Sequence, residues 1–206
     1  MPKILCFDTT NDESSAIAIV VENKIISKKE SIEKNRQAEL LIPNIENIMK
    51  QNKNTYKDFN TFAVTTGPGS FTGIRIGLSV AKTLKLILDK PIVTCSLFEV
   101  LGYNQSKNAI IIVKYGMNYF VRIQDTFKVF KKEELLEFLK EQGKNIAIIS
   151  NCKILEIPSM ISIDQNKIID LFCLLAYKKF ENSDFDNEIK PLYIRPVGIS
   201  LRRVVL

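Results

Sequence analysis

The stretch Thr61 to Leu88, TFAVTTGPGSFTGIRIGLSVAKTLKLIL, constrains the fold of this chain more than any other. Phe62 to Thr66 is a short apolar and β-branched run stopped by Gly67-Pro68-Gly69, the pattern of a buried strand ending at a tight turn. A helix is predicted to follow. Ser70 and Thr72 can each supply an N-cap hydroxyl, and Ile74, Leu78, Ala81, Leu84 and Leu88 recur at spacings of three and four.

Two readings of the turn stand side by side. A helix opened by glycines presents free backbone N–H groups and the positive end of its dipole, so it suits an anion such as a phosphate. On that reading Asp8, Gly67, Gly69, Ser70, Thr72 and Gly73 form a phosphate loop, working or vestigial. On the other, Gly67 and Gly69 supply positive φ while Gly73 and Gly77 permit close approach to the helix. The motif is not a Walker A loop, because no Gly-Lys-Ser/Thr follows and the next lysine is Lys82, well inside the helix. Nor is it the dinucleotide fingerprint, since Gly67, Gly69 and Gly73 are spaced two and four apart.

The rest of the chain supplies the frame. Lys3 to Phe7 and Ser15 to Val21 read as a hairpin around a polar turn led by Asp8, whose expected role is to cap that turn, and Ile25 to Lys29 adds a third antiparallel strand. A helix is expected from Asn35 to Asn52, with Ala38, Leu41, Ile45 and Ile48 on one seam and a kink at Pro43. After the central unit come a strand at Pro91 to Ser96 and a helix from Leu97 to Tyr103. Three antiparallel strands, helix, strand, helix, strand is the first half of a ribonuclease-H-like α/β fold. The polar stretch Gly102 to Asn108 marks a boundary. Residues 1–104 are thus expected to form one lobe, completed by a C-terminal segment at about 189–206, and residues 105–188 a smaller α/β lobe. That second lobe is expected to hold strands at Ala109 to Val113, Tyr119 to Ile123 and Ile146 to Ser150, with helices at Lys132 to Gln142 and Asp164 to Phe180. No internal repeat is visible in the residues.

Composition removes several classes of function. The chain has no histidine, so the commonest metal ligand and the commonest general base are both missing. Its four cysteines, Cys6, Cys95, Cys152 and Cys173, are widely spaced with no CxxC pair, and they read as reduced, mostly buried small hydrophobes. The net charge of +6 permits contact with RNA or an acidic partner, but the lysines are scattered without aromatic interleaving. No apolar run reaches the length of a membrane span and the N-terminus lacks a signal peptide's apolar core, so a cytoplasmic protein with no membrane contact is expected.

With those residues in view, the chain resembles the bacterial TsaB (YeaZ) family, whose members take part in making threonylcarbamoyladenosine in tRNA. The resemblance rests on ILCFDTT at the start, the helix RQAELLIPNI, the central GPGSFTGIRIGLSVAKTL and the closing PLYIRP. It covers Lys3 to about Leu101 well and Pro191 to Pro196 moderately, whereas VKYGMNYF departs from the Asp-Ala-Arg-rich strand usual in the second lobe. The resemblance implies a two-lobed ASKHA (actin-like) fold and a role as the non-catalytic partner of a paralogue, TsaD, which carries a His-x-x-x-His metal site. Those two positions fall here on Leu97 and Leu101, and leucine cannot coordinate a metal.

From the resemblance follow the remaining expectations. The chain has no catalytic residue, no metal and no cofactor of its own, ATP and metal residing on partner subunits. Its partners are TsaD, as a heterodimer, and the ATPase TsaE; alone it forms a homodimer, and contact with tRNA is indirect or weak. In the family two helices, equivalent to Arg36–Met49 and Gly73–Leu88, meet the same pair on the partner. Ala38, Leu41, Ile45, Ile48, Ile74, Leu78 and Ala81 are the candidate interface residues, although periodicity leaves open which of them face a partner and which face the chain's own sheet. A stand-alone actin-like ATPase or kinase using Asp8 and the glycine turn is the competing reading, and it would need a second phosphate loop. A glycopeptidase would need a nucleophile elbow that the chain lacks.

Overall fold

The computed structural model describes residues 1–32, 34, 36–142 and 146–194. Its first sheet contains β1 (Lys3–Asp8), β2 (Ser14–Val21), β3 (Lys24–Ile32), β4 (Thr61–Thr65) and β5 (Ile92–Cys95), in the order β3-β2-β1-β4-β5. The first three strands pair antiparallel, and β4 and β5 extend the sheet parallel to β1. Helices α1 (Gln37–Gln51), α2 (Phe71–Leu88) and the short α3 (Leu97–Leu101) connect or follow these strands. The α1 assignment continues through Pro43. Both faces of the sheet are covered, which is why β1, β2 and β4 are almost continuously apolar rather than alternating.

The two faces differ in side-chain size. Leu5, Phe7, Ile17, Ile19, Phe62 and Val64 fill the space beneath α1 and α2. The opposite face carries Cys6, Ala16, Ala18, Ala63 and Cys95, small residues that let a helix lie close to the sheet. That helix is α5 (Gln165–Glu181), which packs against β1, β2 and β5 and against α3. The sequence division placed it in the second lobe; apolar periodicity marks a helix's buried face without naming the sheet that buries it.

The second sheet contains β6 (Ile110–Tyr115), β7 (Asn118–Ile123), β8 (Thr126–Phe130), β9 (Ile148–Ser150) and β10 (Ile161–Ser162), in the order β10-β9-β6-β7-β8. Read from β8, this is the order of the first sheet: an antiparallel trio followed by two strands parallel to the trio's first. The architecture is therefore duplicated, although no repeat shows in the residues. Helix α4 (Lys132–Lys140) takes the place of α1, while between β9 and β10 no helix corresponds to α2. In layers, α1 and α2 lie on the first sheet, α3 and α5 between the sheets, and α4 on the outer face of the second. Ile189 and Leu192 rejoin the first lobe, Leu192 donating its N–H to the Thr66 carbonyl at 2.9 Å. Residues 195–206 of the expected C-terminal segment lie outside the described residues.

Candidate functional site

Asp8 ends β1 almost wholly buried and organises the turn that follows it. Its Oδ1 accepts three hydrogen bonds, from the Thr10 N–H at 2.9 Å, the Thr10 hydroxyl at 2.7 Å and the Thr65 hydroxyl at 2.6 Å. The first is an Asx turn, the capping role expected from sequence. The third ties the turn to the end of β4, next to the glycine loop.

The glycines close against this turn. A Cβ on Gly69 would stand 2.3 Å from the Thr10 carbonyl oxygen, one on Gly73 2.0 Å from that of Thr9, and one on Gly77 2.5 Å from the Thr9 hydroxyl. Two backbone-level bonds hold the pieces together: the Ser70 N–H donates to Thr10 O at 2.7 Å, and the Thr9 hydroxyl to Gly73 O at 2.7 Å. Ser70 caps α2, its Oγ accepting from the Gly73 N–H at 3.2 Å. Several N–H groups that an anion would use are therefore occupied internally. Gly67 adopts φ +103°, where a side chain is disfavoured, but Gly69 does not have the positive φ expected of it: the Thr10 backbone against it, and not its own backbone angle, is what excludes a side chain there. The packing reading of the glycines accounts for each of these contacts.

The six candidate loop residues do not share one surface. Asp8 and Gly69 line the cleft between the lobes, Gly67, Ser70 and Gly73 are buried behind it, and Thr72 lies exposed on the outer face of α2. The cleft encloses about 450 Å³. Its walls bring Asp8, Asp12 and Glu13 opposite Lys114, a net negative lining that repels phosphate. The turn between β6 and β7 borders the same cleft; there Gly116 has φ +57° and open space beside it, and the Tyr115 hydroxyl donates to Asp12 across the mouth at 3.5 Å. The sequence indicates the two strands of this hairpin but not that its turn borders a cleft, because a single glycine in KYGMN carries no motif. Leu97 lies at the floor of the cleft, and Leu101 is wholly buried in the core between the sheets.

The interface candidates require a correction. Leu41, Ile45, Ile48, Ile74, Leu78 and Ala81 are all buried, in the cluster that joins α1 and α2 to the first sheet. A seam spaced three and four marks whichever face is covered, and the chain's own sheet covers this one. Of the seven, Ala38 alone is exposed, beside a groove between α1 and α2 lined also by Phe71, Thr72, Arg75, Ile76, Ser79 and Val80. Phe71 is 54% exposed, with Arg75 over its ring and Tyr193 stacked at 5.2 Å. A second apolar series on α2, Ile76, Val80 and Ile87, was available in the sequence as the signal for this outer face.

Fold and site together define a two-lobed actin-like (ASKHA) protein, in which the glycine turn packs a helix against the first hairpin. The model of the family TsaD, tRNA N6-adenosine threonylcarbamoyltransferase, matches residues 20–171. The chain is 28% identical over 186 residues to the tRNA threonylcarbamoyladenosine biosynthesis protein TsaB of Buchnera aphidicola from Schizaphis graminum, covering 81% of this chain and 87% of that one. It is 24% identical to the TsaB of the same species from Acyrthosiphon pisum, covering 94% and 99%. The solved structure of YeaZ from Pseudomonas aeruginosa superposes with a TM-score of 0.68 at 16% identity, covering 94% of this chain and all of that one. This chain belongs to the TsaD family, in its TsaB (YeaZ) branch.

Proposed function

We propose that this chain serves threonylcarbamoyladenosine formation at position 37 of tRNA as a non-catalytic scaffold that docks a TsaD paralogue. The observation that carries the reading is the pair Leu97 and Leu101. These positions correspond, through the resemblance, to the paralogue's metal-binding histidines, and here they are buried apolar residues in a chain with no histidine. ATP and metal chemistry then reside on the partners, TsaD and TsaE, and the protein works in the cytoplasm with tRNA contact indirect.

Docking uses the outer faces of α1 and α2, with Phe71, Ile76 and Val80 around the groove, Ala38 on its other bank and the exposed Ile42 one turn along α1 from Ala38. An exposed apolar strip with an arginine at its edge has the composition of an interface centre. The same face is self-complementary in character, so it also accounts for a homodimer when the paralogue is missing. Co-expression with TsaD tests the proposal: a stable heterodimer forms, Val80→Glu abolishes it while the circular dichroism spectrum is kept, and tRNA modification requires both chains. Modification by this chain alone would overturn it.

The nucleotide-hydrolysing reading draws support from the cleft lying between two equivalent hairpins. The acidic lining set by Asp8, Asp12 and Glu13 weighs against it. Calorimetry with ATP and magnesium discriminates, and no heat of binding is expected from the isolated chain.

A further inference from the structure

A second cavity, of about 530 Å³, shares no residue with the cleft and lies where β5, α3, β7 and the chain after α5 meet. Most charged groups on its wall are already paired. Glu99 accepts from Lys179 at 2.8 Å and from the Ser96 N–H and hydroxyl, Asp186 accepts the Thr94 N–H at 2.7 Å, and Lys190 pairs with Glu188 at 2.7 Å. Asp125 is one exception and Arg122 is the other. Its Nε is buried with no hydrogen-bond partner, the one such side-chain atom among the described residues, and its guanidinium enters no ion pair there.

Packing seats this guanidinium rather than a counter-charge. A Cβ at Gly102 would stand 2.6 Å from Arg122 Nη2, so the guanidinium occupies space that the absence of a side chain at Gly102 leaves open. Burial pulls the Arg122 pKa below its ordinary value, opposed by the charges of Glu99 and Asp125, neither of which bonds to it. A half-buried unpaired guanidinium is an unfavourable arrangement in isolation, and the Nη groups of its planar fork, unlike the buried Nε, are free to take a bidentate carboxylate or phosphate. Elsewhere on the wall stand Asp125, with no partner among the described residues, and Asp186, whose Oδ1 accepts no described hydrogen bond. Phe127, Pro191 and Leu192 form an apolar patch beside them.

We propose that this cavity binds the zwitterion of a free α-amino acid, its carboxylate on Arg122, its ammonium toward Asp125 and Asp186, and its side chain against Phe127 and Leu192. A phosphate dianion is disfavoured by those same carboxylates. The site is independent of the docking face on α1 and α2, and its test does not involve the paralogue.

Thermal unfolding of the full chain with glycine, L-serine, L-aspartate, L-leucine and L-lysine is the experiment, alongside the methyl ester and the N-acetyl form of each. At ten times its Kd, a bound amino acid raises the Tm by about 3 °C. The ester lacks the carboxylate and the acetylated form the ammonium, so neither shifts the Tm. Arg122→Met removes an unpaired charge, so its Tm without ligand equals or exceeds that of the parent while the amino-acid response is lost. Should Arg122→Met lower the Tm, calorimetry on the folded variant at 20 °C decides through the loss or retention of binding. No shift with any of the five, an equal shift with the esters, or a response retained in Arg122→Met overturns the proposal.

Discussion

At Gly73 one methyl group is enough to force the first hairpin off α2, because the Thr9 carbonyl oxygen occupies the place where the Cβ would stand. Neither partner is a flexible side chain, so relief requires a backbone shift. Gly73→Ala is expected to cost about 3 kcal/mol in urea unfolding, whereas Gly116→Ala, strained by its φ but facing open space, costs about 1 kcal/mol. Glu99 offers a second measurement. Burial pushes its carboxyl pKa up, but the bonds and charge of Lys179 and the Ser96 donors outweigh that and hold it below the ordinary 4.5. A carboxylate depressed in the folded state adds stability that is complete above pH 4.5 and is lost as the pH falls through the folded value. Glu99→Gln should therefore lose about 1 kcal/mol at pH 7 for this partly exposed pair, and the deficit should shrink below pH 4.5. Burial raises the pKa of the Cys6 and Cys95 thiols, and Cys173 is wholly buried beside Cys6. A thiol reagent should then titrate Cys152 alone in the native protein and all four cysteines after unfolding.

Among the elements, α1 and α2 separate a buried face from a docking face, and substitutions on the two should fail differently. Leu41→Asp places a charge in the apolar layer under α1 and should unfold the chain by circular dichroism; Val80→Glu should leave the fold intact and change only association. Sequence could not make this division with the residues it chose, since Leu41 and Ile45 repeat at helical spacing whichever surface covers them. Most strands and helices were legible, because β1, β2 and β4 are largely apolar runs, α2 is announced by Ser70 as a cap and α5 by its apolar periodicity. The exceptions are β8 and β10. At β8, TFKVF sits on a sheet edge with its first three residues exposed, so nothing enforces alternation, and β10 is two exposed residues long. Of the site, the Asp8 turn was readable from Asp-Thr-Thr, while the acidic cleft was not, since Asp12 and Lys114 lie a hundred residues apart and only the duplicated hairpins bring them together.

On the scale of the whole molecule, the first sheet is completed by a helix that the chain reaches only after passing through the second lobe. Cys6, Ala16, Ala18 and Ala63 lie on the face that α5 packs against, and of the helices on that face residues 1–104 contain only the short α3. A fragment of residues 1–104 should aggregate when expressed alone and should be rescued by co-expression of residues 105–206, with co-purification as the readout. The same arrangement sets a delay during synthesis. From the end of β5 at Cys95 to the end of α5 at Glu181, a ribosome adding about 5–20 residues per second needs about 4–17 s. For that interval the small-residue face of a nearly finished sheet waits uncovered, and it is in those seconds, rather than in the mature protein, that a chaperone would find its largest target on this chain.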